Sequence, residues 1–412
     1  MGGMMESYKN SEPRPPIMEG SPPPPQWRVP FIDWDRPPWN RWAFQRIREI
    51  LPTGPVAASA SPSVLPEALE PIEEISFEGP NGQTNVAQWI DDDYTDGLLI
   101  MIDGKIIHES YWNGMTPASV HLCQSVSKSI TSTTASTLFA EGLLDPNAPV
   151  TDALPELEKT AWKGATLQQV MDMASGAKFD ESDYFNRASD IGKMDVAAGW
   201  KPVPEGYEDE DWPACIHDQI MTLTTQEVEH GSRFEYRSIE TDVLAHAMER
   251  VTGKRLPQLV SERLWQPLGA ETDACFTLDS SGYALSCGGF NASLRDLARF
   301  GLAYLNDGQV DGHQVIPKAW VDDVRSGDHG LFNNYGREHF PNGRYRNQFW
   351  IEDADQMGHY CLGIFGQIVY VSPERGMVAV KLSTWPEAVD NDHHDSCVAA
   401  FHAIARAFGR DI

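Results

Sequence analysis

The sequence predicts an α/β chain of the α+β type: one antiparallel sheet assembled from both chain ends and flanked by helices, with a mostly helical lobe inserted. Three observations carry this expectation. Residues 98–111, "LLIMIDGKIIHESY", read as two strands joined by an Asp103-Gly104 turn of the kind that suits tight antiparallel connections. Residues 368–372 and 377–383 form a second pair, rich in β-branched residues, around the turn at Pro373 to Gly376. Between the pairs, apolar residues recur at helical spacing over 166–175, 239–252 and 294–306.

In chain order, residues 1–28 are proline-rich and polar, which predicts a disordered or polyproline-like arm. Residues 29–74 are expected to form an arm packed on the body. There "FIDWDRPPWNRWAFQRIREILP" mixes tryptophans with a helical run over 40–50, and a Pro, Ser and Ala-rich loop leads to Ile75. Residues 75–412 then form the main domain, with a sheet lobe at about 75–120 and 310–412 and a helical lobe at about 121–309. A last helix over 396–408 covers one face of the sheet.

Composition excludes several function classes. Of 412 residues, 60 are acidic and 32 basic, for a formal charge of -28 that repels phosphate backbones and anionic lipid surfaces. Nucleic acid and membrane are therefore not expected partners; a small molecule is, and a homodimer is compatible. The N-terminus has no apolar signal-like core, and no run is long enough to span a bilayer. Six scattered cysteines without a CxxC pair read as buried thiols in a reducing cytoplasm. No cofactor is expected. In "DNDHHDSC", residues 390–397, adjacent side chains point in different directions, which disfavours convergence on one metal ion. "DDDYTDG", residues 91–97, lacks the spacing of a calcium loop and reads as an acidic turn. Neither a GxSxG elbow nor a P-loop is present.

Ser-x-x-Lys occurs twice, at Ser125–Lys128 and Ser175–Lys178. Around Ser175, Thr166 is a plausible N-cap and Gly176 a helix terminator, which leaves Lys178 beyond the helix. That copy reads as structural. After Ser125, "VSKSITSTTASTLFAEGLL" can stay helical until Gly142, so serine and lysine share one face at a helix N-terminus. The many Ser and Thr residues are poor in an isolated helix, so packing must hold it, and the helix is expected to be buried. Burial would matter chemically, because a lysine activates a serine only if its pKa is lowered. A third group must pass the proton to the leaving atom. Tyr236 in "GSRFEYRSIETD", in a loop before a helix, is the candidate, with Ser238 two residues on.

"QSVSKSIT", "MASGAKFDESDY", "FEYRSIETDVLAHAMERVTG", "CGGFNASLRDLARFGLAYLNDG" and "GIFGQIVYVSPERGMVAVKLSTWP" occur in an order that resembles the serine β-lactamase-like, penicillin-recognising superfamily. The chain looks most like the class C and esterase branch, and within it the 6-aminohexanoate-dimer (nylon oligomer) hydrolases. The resemblance implies a serine amidase or esterase working through an acyl-enzyme, with Ser125 as nucleophile, Lys128 as its base partner and Tyr236 as catalytic tyrosine. It implies that Tyr184 closes over substrate and that Asp195 receives a substrate ammonium. The third superfamily box corresponds to Cys361-Leu362-Gly363, where a glycine lets a backbone N–H approach the oxyanion; the hole is assigned to the N–H groups of Ser125 and Ile364. The cationic side chain common in that box is missing, which argues against efficient β-lactam hydrolysis. Ser238 and Cys287 are expected to face substrate, and Cys287 stands where comparable amidases carry a polar residue. Whether Lys128 or Tyr236 is the first base stays open. So does a carboxylesterase, or a binding protein that keeps the fold without turnover.

Overall fold

The two predicted hairpins become the centre of a seven-stranded antiparallel sheet. From edge to edge its strands are Arg344–Arg346, Phe349–Ile351, His359–Gly363, Gln367–Ser372, Met377–Ser383, Thr95–Ile102 and Lys105–Tyr111. The computed structural model describes residues 15–332 and 340–410. The chain ends meet where Met377 pairs with Ile102 and Val380 with Leu99. Alternate side chains leave the sheet on opposite faces. Leu99, Met101, Val369 and Val378 enter the core shared with the helix Leu294–Leu305, while Leu98, Ile100, Ile368 and Ala379 enter the core shared with the helix Asn391–Ala407. Both faces are covered, which is why the strand sequence "LLIMI" is continuously apolar rather than alternating.

A second sheet has four short strands in the order Thr53–Val56, Ala274–Thr277, Phe290–Ala292 and His121–Leu122, and the last three lie in the region expected to be helical. Its first strand was expected as loop. "TGPV" carries no strand signature, and Pro55 is tolerated because this is an edge strand.

Other boundaries also move. The helix expected over 40–50 is split into Asn40–Ala43 and a 3-10 turn at Ile47–Glu49. The carbonyl of Arg41 accepts from the Asn113 side chain, and that of Phe44 accepts from Leu122 N at 2.8 Å, so tertiary partners satisfy the backbone there. The helix expected over 166–175 covers only Leu167–Met171 behind a Thr166–Gln169 capping box, and Met173 at φ 54 turns the chain away before Gly176. The last helix starts at Asn391, five residues early, because the Asp390 side chain accepts from His393 N at 3.0 Å. The expected acidic turn is divided. Asp91 and Asp92 end the helix Val86–Asp92, and Asp93 is buried 2.5 Å from both Lys381 Nζ and His393 Nδ1.

Residues 1–14 of the expected disordered arm lie outside the described residues. Residues 15–28 are placed on the body instead: Ile17 is buried, and Met18 N donates to Trp27 O at 2.8 Å. Farther along, buried Arg41 meets Asp96 at 3.1 Å, and Asp96 also meets His121 Nε2 at 3.2 Å, which ties this segment to the strand leading into Ser125. Trp34 donates to Trp200 O at 2.9 Å, and Asp35 pairs with Lys201 at 2.5 Å. These contacts brace one wall of the cleft.

Candidate active site

Ser125 stands at the N-cap of the helix Val126–Ala140, after Gln124 in the left-handed region at φ 48. All residues of that helix except Thr137, Phe139 and Ala140 are buried. Its hydroxyls explain how such a sequence stays helical. Ser129 and Ser132 donate to the carbonyls of Gln348 and Asn347 at 2.7 and 2.8 Å, and Thr131 donates to Ser286 O at 3.2 Å. Tertiary hydrogen bonds thus offset a weak helix propensity. Ser127 fixes the first turn by donating to Gln124 O at 2.5 Å and accepting from Phe290 N at 2.9 Å.

One turn on, the buried Lys128 Nζ donates to Ser125 Oγ at 2.7 Å and to the Cys287 carbonyl at 2.9 Å. Nζ lies 5.0 Å from the centre of the Tyr236 ring, and Tyr236 and Ser125 line the same cavity. The expected depression of the lysine pKa is not what the surroundings produce. Burial alone lowers it, but Tyr236, Cys287 and Glu181 around the ammonium outweigh burial and hold it above its usual value. Burial raises Tyr236 against the pull of Lys128, and raises the Cys287 thiol well above its ordinary value. The resting pair is therefore ammonium and phenol.

Gly363 ends its strand against the segment before Ser125. A Cβ there would lie 2.5 Å from Cys123 O and 3.0 Å from Gln124 Cβ, so only glycine permits the approach. That contact sets the Gly363–Ile364 peptide beside Ser125, and both residues line the same cavity. Phe349–Ile351 pairs with the first half of that strand, through Tyr360 and His359, and among the described residues the Gly363 end has no strand partner on that side.

Two cavities meet at Ser125, Tyr184 and Ile364. The smaller, about 60 Å³, is walled by Asp195, Asp35, Trp200, Ser238 and Cys287. Burial pushes the Asp195 carboxyl up to about 7, against Lys201 and with Asp35 adding to the rise. The larger, about 310 Å³, is lined mainly by aromatic and aliphatic side chains. The Ser238 hydroxyl and amide both donate to the Glu181 carboxylate, at 2.6 and 2.5 Å, and Tyr184 OH donates to the same group at 3.0 Å. Glu181 was not singled out from the sequence, although it lies in the "DESDY" stretch; burial raises its pKa while Lys128 opposes the rise. Asp35 and Trp350 were also missed, because nothing local in their sequence connects them to Ser125.

Ser175, the other candidate, lies elsewhere. It is fully buried and donates to Glu240 Oε1 at 2.7 Å, while Lys178 is exposed. Among the described residues no cluster of His, Cys, Asp and Glu is arranged to hold a metal, and no helix is long and apolar enough to cross a membrane.

Known proteins share this arrangement of elements. The family profile described as beta-lactamase matches residues 91–402. The chain is 34% identical over 362 residues to a 6-aminohexanoate-dimer hydrolase of Paenarthrobacter ureafaciens, covering 87% of this chain and 89% of that one. A Bacillus anthracis structure, provisionally assigned as a 6-aminohexanoate-dimer hydrolase, superposes with a TM-score of 0.86 at 26% identity, over 95% of this chain and 100% of the other. A family VIII carboxylesterase shares the fold at a TM-score of 0.55 and 15% identity, over 76% of this chain and 93% of the other.

Proposed function

The chain belongs to the β-lactamase family and is a hydrolase, and on that premise we propose that it cleaves a linear amide or ester bearing a free amine, through an acyl-enzyme on Ser125. The observation that carries this reading is the buried Lys128 Nζ, 2.7 Å from Ser125 Oγ and 5.0 Å from the centre of the Tyr236 ring. Ser125 Oγ attacks the carbonyl carbon, and its proton passes into the Lys128–Tyr236 pair. The N–H groups of Ser125 and Ile364 receive the oxyanion. As the tetrahedral intermediate collapses, Tyr236 gives a proton to the departing nitrogen or oxygen. Water then attacks the acyl ester, Ser125 recovers its proton, and the acid leaves.

Asp195 receives the substrate ammonium in the smaller cavity, and Tyr184, at the junction of the two cavities, closes over the bound chain. Glu181 holds Tyr184 to Ser238 and so positions that closure. Because resting Lys128 donates to Ser125, the reactive form is one proton poorer, and kcat/KM climbs with pH on the alkaline side. The same acyl-enzyme serves a carboxylesterase, a reading favoured by the apolar character of the larger cavity. The six cysteines are free and buried, which supports a place in the reducing cytoplasm.

The deciding experiment compares wild type with Ser125→Ala on a short p-nitrophenyl ester and on the linear 6-aminohexanoate dimer, with fluorophosphonate labelling in parallel. Turnover and labelling that both vanish in the variant support the reading. Absence of both in the wild type sinks it.

A further inference from the structure

Two carboxylates, Asp35 and Asp195, share the wall of the smaller cavity beside Ser125. Asp195 sits on the helix Asp190–Ala197, and Asp35 on the N-terminal segment, far from it in sequence. Lys201, Arg36 and Arg187 all pull on the Asp195 carboxyl. Lys201 is also its neighbour through the backbone: Lys201 N donates to Asp195 O at 3.2 Å, and Trp200 N donates to the same oxygen at 2.8 Å. A lysine so placed would compete with a substrate ammonium for the carboxylate that the amine needs.

The N-terminal segment meets each of these cations with a partner. Asp35 takes Lys201 Nζ at 2.5 Å. Asp33 takes Arg187 at 2.7 Å and lies 3.8 Å from Arg36, whose guanidinium sits over the Phe185 ring at 4.1 Å. Trp34, between the two aspartates, donates to Trp200 O at 2.9 Å and meets the Trp200 ring edge-on at 5.1 Å, which fixes the segment beside Lys201. With both carboxylates ionised, Asp35 and Asp195 against Lys201 leave one negative charge, which an entering ammonium cancels. Without Asp35, Lys201 and Asp195 already balance, and an ammonium would add an uncompensated positive charge. A cavity of about 60 Å³ is too small for bulk-like screening of that charge.

From this arrangement we infer that Asp35 is a positioning residue for amine recognition: by holding Lys201 it keeps the Asp195 carboxylate available to the substrate ammonium, so that the N-terminal segment takes part in selecting amine-headed acyl groups. The inference rests on the assignment of the substrate amine to Asp195. Asp35 also faces the cavity itself, where its charge attracts an ammonium and helps hold a proton on Asp195 to higher pH. Removing it therefore has two signatures: a weaker preference for an amine, and a titration of Asp195 displaced to lower pH.

The test compares two esters that share a leaving group, p-nitrophenyl 6-aminohexanoate and p-nitrophenyl hexanoate, through the ratio of their kcat/KM values. Chemistry common to both at Ser125 cancels in that ratio. Wild type is expected to favour the amino ester above the Asp195 titration. Asp35→Asn should cut the ratio by roughly tenfold or more and move its midpoint against pH downward. Adding Lys201→Met to Asp35→Asn should return the ratio to within about threefold of wild type, a repair that a merely structural loss would not show. Lys201→Met alone should keep the amine preference and move the midpoint upward, and it carries the test if Asp35→Asn does not fold. A ratio unmoved by Asp35→Asn, a loss that Lys201→Met does not repair, or a preference lost in Lys201→Met alone overturns the inference while Ser125 labelling remains. Equal kcat/KM on the two esters in wild type instead overturns the amine assignment on which the inference rests, and absence of Ser125 labelling overturns the hydrolase reading.

Discussion

Ser125 and Ser175 each precede a lysine by three residues, and each hydroxyl is hydrogen-bonded, yet their surroundings differ in every respect that matters for chemistry. Ser125 opens onto two cavities and receives a hydrogen bond from a buried lysine. Ser175 is enclosed, donates a hydrogen bond to Glu240, and has its lysine in solvent. The difference comes from the backbone. After Ser125 the chain stays helical for fifteen residues, which puts the lysine on the serine's face. Before Ser175 the helix has already ended at Met171, so spacing in sequence no longer sets spacing in space. A four-residue motif has chemical meaning only through the element that carries it.

The largest expected effect tests this contrast directly. Ser125→Ala should lower kcat/KM by about 10⁴-fold or more with the thermal midpoint retained, whereas Ser175→Ala should leave kcat/KM within about threefold once folded protein is compared. Loss of activity in folded Ser175→Ala would reverse the assignment. Next, Tyr236→Phe removes the hydroxyl of the ring beside Lys128 Nζ, and should cost about 10²- to 10⁴-fold in kcat; a change in KM alone would remove Tyr236 from the proton path. Gly363→Ala forces a Cβ against Cys123 O and displaces the Ile364 N–H, with an expected loss of about 10²- to 10³-fold in kcat.

The Ser175 side of the contrast should appear in stability. Ser175→Ala leaves buried Glu240 without that donor and is expected to cost about 1–3 kcal/mol in urea denaturation. Burial raises Glu240 from 4.5 to about 8, so between those values the folded protein keeps a proton that the unfolded chain has released. Stability therefore falls as pH rises through that window, and Glu240→Gln should remove this contribution.

The smallest effect belongs to the raised carboxylate beside Ser125. Asp195, at about 7, loses its charge as pH falls, so KM for an amine-bearing substrate should rise by up to about tenfold per unit below pH 7, while an uncharged ester is unaffected. The two raised carboxylates would then report through different observables, one through binding and the other through folding.

Much of this could be read along the chain. The two central hairpins, the helix after Ser125, the helix Ile239–Thr252 and the buried thiols each follow from local pattern, because apolar period and turn chemistry are properties of neighbouring residues. Tertiary contacts overrode local preference where they were strong. Asn113 and Leu122 took the carbonyls that a helix over 40–50 would have used, and an edge position allowed "TGPV" to become a strand. The direction of the Lys128 shift could not be read either. It depends on Glu181, Tyr236 and Cys287, far from it in sequence and gathered around it only by folding.

Sequence alone thus determined which residues could react: a serine and lysine on one helical face, a tyrosine at a helix start and a glycine able to approach a backbone. Tertiary structure decided which of two serines meets its lysine and which carboxylates face the cleft, with Asp35 and Asp195 beside Lys128 in one cavity and a mainly apolar lining in the other. Those outcomes depend on distances between segments up to hundreds of residues apart, and packing, not local propensity, sets such distances.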